Sequence, residues 1–540
     1  MMKLVSVAEM RAIEAEADSL GVTYAAMMEL AGKGVADVVR ECYSHLENKT
    51  VVGLVGGGSN GGDALVALAD LAQTGWRARA YLVRARPDDV LVQRLEERGE
   101  TLCAAQDPTG EKLDDWLAES SVLLDGVLGT GARLPLAAEL AALLCRVRQR
   151  AGGLRVVAVD CPSGVDCASG EMADETLPTE ITVCMEAIKN GLVRFPAFER
   201  VGQLRVVALG LPPGLESLKP IRRQVASPAW VRSVLPPRQM TAHKGTFGTA
   251  FIVAGSVNYT GAALLAGQAA YRVGTGLVRL AVPAPLHAAL AGQAAEVTWL
   301  ILPHENGWIA AGAAEVIQQN LDRVTAMLIG PGLGVEETTA AFFRKLISGV
   351  IKRSSRYRSG SIPSSEGKPG ARQWSLPPLV IDADGLNLLR RVPDWKNLLG
   401  SIAVLTPHPG EMAALTGRSV AEIQASRWEI TQQTAAEWGH VVALKGALTV
   451  VAAPDGRMGV VPVATPALAR AGTGDVLAGM IVGLRAQGVP PFEAALAGAF
   501  LHGRAGMLAE QRVGHAAAVL AGDVLAALPE ILRLIASSDD

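Results

Sequence analysis

The residues best suited to chemistry sit in short glycine-rich stretches. In the first half these are "GGGSNGGDAL" (56–65), "LLDGVLGTGARLP" (123–135) and "VVAVDCPSGVD" (156–166). They offer Asn60, Asp63, Asp125, Asp160, Ser163 and Asp166. The first stretch satisfies Gly56-x-Gly58-x-x-Gly61 yet places Asp63 close to where a pyrophosphate would rest. A Walker loop needs Lys and then Ser or Thr after its last glycine, and Gly62 is followed by Asp63. A dinucleotide site wants an acid at the end of the next strand, and "YLVRARP" offers Arg84 and Arg86 instead. The plainer alternative is a tight strand-to-helix turn with Asp63 capping its helix. Asp125 and Asp160 tip the balance, because each ends an apolar run. In a doubly wound sheet such ends face one crevice, where Asn60, Asp63, Asp125, Asp160 and Ser163 can converge. All-oxygen donors suit a hard cation, monovalent or magnesium. Asp63 and Asp125 are the candidates for moving a proton.

The second half has "LARAGTGDVLAGMIVGLRAQG" (468–488), "VVALKGALTVV" (441–451) and "VLTPHPGEM" (404–412). Amides of the Gly472-Thr473-Gly474 turn and the following helix start form an anion site. Asp475 in the first helical turn can take a hydroxyl proton as phosphate arrives. Lys445 and the residues to Thr449 suit a nucleotide phosphate; the alternative is an ordinary hairpin with an exposed lysine. His408 and Glu411 stand in a proline-fixed loop. Glu411 could hold a magnesium-bound water, or serve as the acid that a helix dipole favours.

Positioning these residues requires strands alternating with helices. In the first half the strand candidates are "TVVGLVG", "RARAYLV", "SVLLDGV", "RVVAVDC", "EITVCM" and "QLRVVAL". In the second they are "TAFIVAG", "LVRLAVP", "AMLIGPG", "PLVIDAD", "AVLTPHP", "HVVALKG" and "LTVVAAP". The alternation with Ala/Leu-rich runs predicts parallel sheets covered on both faces by helices. "LPPGLESLKPIRRQ" (211–224) breaks the periodicity, so the expected domains are 1–218 and 219–540. Residues 352–378, rich in Ser, Gly, Pro and Arg, read as an inserted exposed loop.

With 540 residues, 49% apolar and 19% charged, the chain is long enough for two globular domains with large cores. A net charge of −3 gives no case for nucleic acid. Apolar runs are interrupted before membrane length, and the amphipathic, acidic start lacks the features of a signal peptide, so a cytoplasmic location is expected. Six Cys without CxxC read as reduced thiols, and eight scattered His give no zinc pattern.

Taken together, "MMELAG" (27–32), "GGGSNGGDAL", "LLDGVLGTG", "VDCPSGVD" and "AIKNGL" (187–192) make residues 1–215 resemble the NAD(P)H-hydrate epimerase family of YjeF N-terminal type. The resemblance implies a potassium ion held by Asn60, Asp125 and Ser163. It implies substrate contacts from Ser59, Asn60, Gly61, Gly62 and Asp63, from Gly129, Thr130, Gly131, Ala132, Arg133, Leu134 and Pro135, and from Asp160. Three positions depart from the family pattern: Leu30, Ser59 and Ala64.

Residues 230–540 resemble the ribokinase-like fold, and within it the ADP/ATP-dependent NAD(P)H-hydrate dehydratases. "KGTFGTAFIVAGSVNYTGAALLAGQAAYRVGTGLVRLAVP" (244–283), "IGPGLG" (329–334) and "VIDADGLNLL" (380–389) carry this likeness along with the AGTGD turn. It implies that Ala262, Gly332 or Gly334, His408 and Asp475 contact the hydrated nicotinamide. Lys445, Gly446, Ala447, Leu448, Thr449 and Gly474 would hold the adenine nucleotide, with Mg2+. The expectation is thus two three-layer α/β domains, Rossmann-like then ribokinase-like. By this resemblance they would form a bifunctional enzyme that epimerises the hydrates NADHX and NADPHX and dehydrates the S form. ADP is favoured over ATP, and a homo-oligomer is expected. Two rivals are a small-molecule kinase, and a dehydratase whose first half only binds.

Overall fold

The computed structural model describes residues 2–349 and 376–537. All but the last three residues of the 352–378 segment lie outside the described residues. The chain forms two compact units, Met2–Val225 and the chain from Ala226 onward.

In the first unit a parallel sheet has the spatial order Glu100–Cys103, Arg77–Leu82, Thr50–Val55, Val122–Gly126, Arg155–Val159, Ile181–Met185, Gln203–Val207. In chain order this is 3-2-1-4-5-6-7, the doubly wound arrangement. Every residue of Thr50–Val55 is buried, as a strand covered on both faces requires. The order reverses between Thr50–Val55 and Val122–Gly126, so a crevice opens between the segments that follow them. Met2–Val5 pairs with Arg223–Val225, which ties 223–225 to this unit.

The second unit repeats the logic. Its strand order is Thr298–Leu302, Leu277–Pro283, Thr249–Val253, Ala326–Ile329, Leu379–Ile381, Val404–Leu405, Val441–Leu444, Val450–Ala452, Met458–Val460. The first seven in that row are mutually parallel, and the last two close as antiparallel neighbours. Thr473–Ala486, buried along most of its length, and Thr260–Arg272 pack on the sheet.

Every strand candidate read from the sequence forms a strand. Glu100–Cys103 and Thr298–Leu302 are additional edge strands, partly exposed and without an uninterrupted buried run. Among the described residues no helix is long and apolar enough to cross a membrane.

Two candidate active sites at the strand ends

In the first unit a cavity of about 1310 Å³ opens at the carboxyl ends of the strands. Ser59, Asn60, Asp63, Gly129, Thr130, Gly131 and Asp160 line it. Ala132, Arg133, Leu134 and Pro135 continue the same turn outside the lining.

The helix Ser59–Gln73 begins earlier than a capping Asp63 requires. Gly58 is its N-cap, no side chain caps it, and Asp63 lies one turn inside. Gly61 and Gly62 are packing positions: a Cβ on Gly61 would stand 2.1 Å from the Gly56 carbonyl, and one on Gly62 would stand 2.6 Å from the Met28 sulfur. A Cβ on Gly56 would stand 1.9 Å from the Val127 carbonyl, so the loop lies hard against its neighbour. Arg86 fixes the loop from outside, donating to the Gly56 carbonyl at 2.7 Å while paired with Asp89 at 2.6 Å.

Asn60, Asp125 and Ser163 form one connected corner. The Ser163 amide donates to Asp125 at 2.8 Å, and the Ser163 hydroxyl donates to its other oxygen. The Leu128 amide donates to Ser163 Oγ at 2.9 Å, and the Leu128 carbonyl accepts Asn60 Nδ2 at 2.9 Å. Asp125 is fully buried and no ion pair to it is present among the described residues. Burial pushes its carboxyl above the ordinary range, against the pull of the Ser163 donors. A buried carboxylate with hydroxyl and amide oxygens nearby, and no lysine or arginine partner, is a donor set that a monovalent cation fits.

Asp160 is built differently. It holds φ of +65° at the end of Arg155–Val159, a conformation costing about 1–3 kcal/mol for a residue with a Cβ. Its carboxylate accepts the Met185 amide at 3.0 Å and pairs with the buried Lys189, which also donates to the Met185 carbonyl at 3.1 Å. Burial opposes the Lys189 charge, but Asp160 outweighs it and raises the pKa. Asp63, buried and near the Asp160 charge, is pushed up to about 8, so it carries a proton at neutral pH. Glu14, from the helix Val7–Ser19, lines the same cavity and is also raised, by burial first. Lys189 and Glu14 were not assigned from the sequence. Lys189 lies inside the quoted "AIKNGL", and only its burial beside an acid marks it.

In the second unit the parallel strands deliver Ser256, Gly330–Gly334, Asp382, Thr406 and Lys445 to one edge. Asp382 accepts Thr406 Oγ1 at 2.7 Å and Lys445 Nζ at 2.6 Å. Lys445 Nζ also lies 3.6 Å from Glu411. The hairpin alternative for 441–451 is correct in backbone, since Val441–Leu444 pairs antiparallel with Val450–Ala452. Its lysine is nevertheless mostly buried and paired. Arg427 donates to the Leu444 and Lys445 carbonyls at 3.0 and 3.1 Å and so fixes the turn.

The helix Thr473–Ala486 starts behind Gly472, at φ +88°, with no side-chain cap. Asp475 stands in its first turn. Burial, then the Asp382 charge, pushes its carboxyl up to about 7. Asp384 accepts the Gly334 amide at 2.9 Å and is raised by burial. His408 and Glu411 cap the helix Pro409–Thr416 reciprocally: His408 Nδ1 accepts the Gly410 and Glu411 amides, and Glu411 accepts the His408 amide. His408 Nε2 lies 3.5 Å from the other Glu411 carboxylate oxygen.

A cavity of about 510 Å³ is lined by His408, Lys445, Gly446, Ala447, Thr449 and Gly474 together with Arg470 and His502. Leu448 packs underneath, its amide bound to the Val463 carbonyl at 3.0 Å. Ala262, Gly332, Gly334 and Asp475 lie outside this lining. Ala262 and Gly332 meet one another, a Cβ on Gly332 falling 2.9 Å from that of Ala262. Gly474 and Lys445 connect the two groups: a Cβ on Gly474 would stand 3.8 Å from Lys445 Nζ and 3.9 Å from Asp382. Asp382, Asp384 and His502 were not assigned from the sequence. Burial pushes His502 down to about 4, and its Nε2 is buried without a partner. No group of three or more His, Cys, Asp or Glu able to hold a metal occurs among the described residues.

Comparison with known proteins bears on both units. Residues 250–350 and 372–530 match the family model described as NAD(P)H-hydrate dehydratase. Residues 24–191 match that described as YjeF-related protein N-terminus. A bifunctional NAD(P)H-hydrate repair enzyme of Moorella thermoacetica is 34% identical, over 98% of this chain and 97% of its own. The Escherichia coli enzyme of the same name is 30% identical over 96% of this chain and 91% of its own. A solved ADP/ATP-dependent NAD(P)H-hydrate dehydratase of Bacillus subtilis, co-crystallised with ATP and Mg2+, is 30% identical. It covers 58% of this chain and 98% of its own, with a TM-score of 0.45. The chain belongs to the family of bifunctional NAD(P)H-hydrate repair enzymes.

Proposed function

We propose that this chain repairs hydrated NADH and NADPH in two separate sites. The unit Met2–Val225 interconverts the R and S hydrates. The unit from Ala226 dehydrates the S form at the expense of ADP, giving AMP and phosphate. The observation that carries the second step is Asp475, a carboxyl with a pKa of about 7 at an uncapped helix start, beside Lys445 and a cavity of nucleotide size.

Hydroxide is a poor leaving group, which explains a kinase-like site in a dehydratase. Asp475 accepts the proton of the ring hydroxyl as that oxygen attacks the terminal phosphorus of ADP, and AMP leaves. The amides of the 472–475 turn stabilise the transferring phosphoryl group. The ester C–O bond then breaks: the ring nitrogen supplies its lone pair, and phosphate leaves with the bonding electrons. Loss of a proton from the neighbouring carbon restores the dihydronicotinamide. Ala262, Gly332, Gly334 and His408 are assigned to the hydrated ring. Lys445, Gly446, Ala447, Leu448, Thr449 and Gly474 are assigned to the nucleotide. Mg2+ would arrive with the nucleotide phosphates, and Glu411 is the acid for its water shell, neutralising charge during transfer.

In the first unit Asp63, protonated at neutral pH, is assigned as general acid and Asp160 as its charged neighbour. Ser59–Asp63 and 129–135 are assigned to substrate. Asn60, Asp125 and Ser163 would hold potassium, which neutralises the buried Asp125.

The test mixes chemically hydrated NADH with the protein and either ADP or ATP and follows the return of reduced-nicotinamide absorbance. Recovery faster with ADP is expected. No recovery with either nucleotide overturns the dehydratase assignment.

A further inference from the structure

The end of the second strand of the first sheet holds a charge that the proposed reaction does not use. A site for an unphosphorylated dinucleotide places an acid there to bind the ribose 2′-hydroxyl, whereas an arginine accommodates a 2′-phosphate. This chain has Arg84 just after Arg77–Leu82, on the lining of the 1310 Å³ cavity. The other arginines near this end are taken. Arg86 holds Asp89 and the Gly56 carbonyl, and Arg146 holds Asp114 at 2.8 Å. Asp107, an acid of the same lining, is occupied by the amides of Lys112 and Leu113. Arg84 has no hydrogen-bond or ion-pair partner among the described residues, and Glu139, the exposed acid on this lining, has none either.

Sheet order sets the distance. Arg155–Val159, which ends in Asp160, and Arg77–Leu82, which leads to Arg84, are three strand spacings apart, roughly 14 Å at ~4.8 Å each. A dinucleotide whose hydrated ring lies by Asp63 and Asp160 therefore carries its adenosine ribose towards the second strand. A guanidinium matches phosphate oxygens in a two-pronged geometry that a lysine does not.

Resting on the epimerase assignment above, we propose that Arg84 grips the 2′-phosphate of the adenosine ribose, so that the epimerase site prefers hydrated NADPH to hydrated NADH. The pyrophosphate is the other phosphate a dinucleotide brings, and it is common to both substrates.

The experiment measures epimerisation of the R hydrates of NADH and NADPH by the full chain, with the epimers separated by chromatography. The unsubstituted protein is expected to show a lower KM for the NADPH hydrate. Arg84→Gln is expected to raise that KM by about 10- to 100-fold, with a much smaller change for the NADH hydrate. Arg84→Lys, keeping charge without the fork, should retain part of the preference, and Arg84→Glu should invert it. An equal loss on both hydrates assigns Arg84 to the pyrophosphate and overturns the proposal, as does an unchanged ratio. If the unsubstituted chain epimerises neither hydrate, the epimerase assignment itself falls and takes this proposal with it.

Discussion

The two units share a strand order that reverses at the same place, yet they arm it with different chemistry. The first surrounds its crevice with acids whose charge is managed internally: Asp125 by Ser163, Asp160 by Lys189 and Asp63 by a proton. The second pairs Lys445 with Asp382 near an uncapped glycine turn, the place assigned above to the transferring phosphate. Layer topology fixes where a ligand sits. In the function proposed above, the segments after the strands decide whether the site moves a proton alone or consumes a phosphoryl group as well.

The sharpest way to break this comparison is to remove one acid from each side. Asp475→Asn is expected to lower dehydration by about 10²–10⁴-fold while epimerisation, read by chromatography of the two epimers, persists. Asp63→Asn is expected to do the reverse. A folded variant that loses both activities contradicts the separation.

The pH profiles should also diverge. Asp475 must be ionised to accept a proton, so dehydration is expected to fall about tenfold per unit below pH 7. Asp63 acts protonated, so epimerisation should fall above pH 8. Rate–pH profiles of the two reactions on one preparation check this, and profiles with the same limbs would remove the assigned roles.

A smaller effect concerns potassium. Replacing K+ by Li+ is expected to slow epimerisation and leave NADPH-forming dehydration of the S hydrate unchanged. Asp125→Asn should lose the ion response and also stability, by about 1–3 kcal/mol, since a buried amide confronts the Ser163 donors.

The smallest effect is on stability. The folded Asp63 keeps a proton that the unfolded chain has released, because its pKa is raised from 3.8 to about 8. The folded state therefore binds more protons between those values, and stability falls as pH rises through that window. Melting temperatures of Asp63→Asn should fall less steeply between about pH 4 and 8.

What could be read from the sequence follows physical range. Thr50–Val55 and Ala326–Ile329 are continuous apolar runs buried on both faces, and such runs declare themselves. Thr298–Leu302 is a half-exposed edge strand and does not. Asp63 and Asp475 stood out because glycines beside them are visible locally. Lys189 and Asp382 did not, because their roles come from partners 29 and 63 positions away, Asp160 and Lys445. His502 is marked only by a buried nitrogen in a cavity wall. The alternative role of Asp63 as a helix cap fails because the helix starts at the uncapped turn at Gly58, and nothing local in the sequence signals that start.

Complementation in one tube tests the central claim most directly. The R hydrate of NADPH is supplied with ADP to Asp475→Asn, to Asp63→Asn and to an equal mixture of both chains. Asp475→Asn alone should regenerate NADPH no faster than the enzyme-free control, and Asp63→Asn alone only as fast as uncatalysed epimerisation supplies the S hydrate. The mixture should be faster than either, because the S hydrate made by one diffuses to the other. Regeneration by either variant alone at the rate of the mixture, or a mixture no faster than Asp63→Asn alone, would contradict two independent sites acting in sequence.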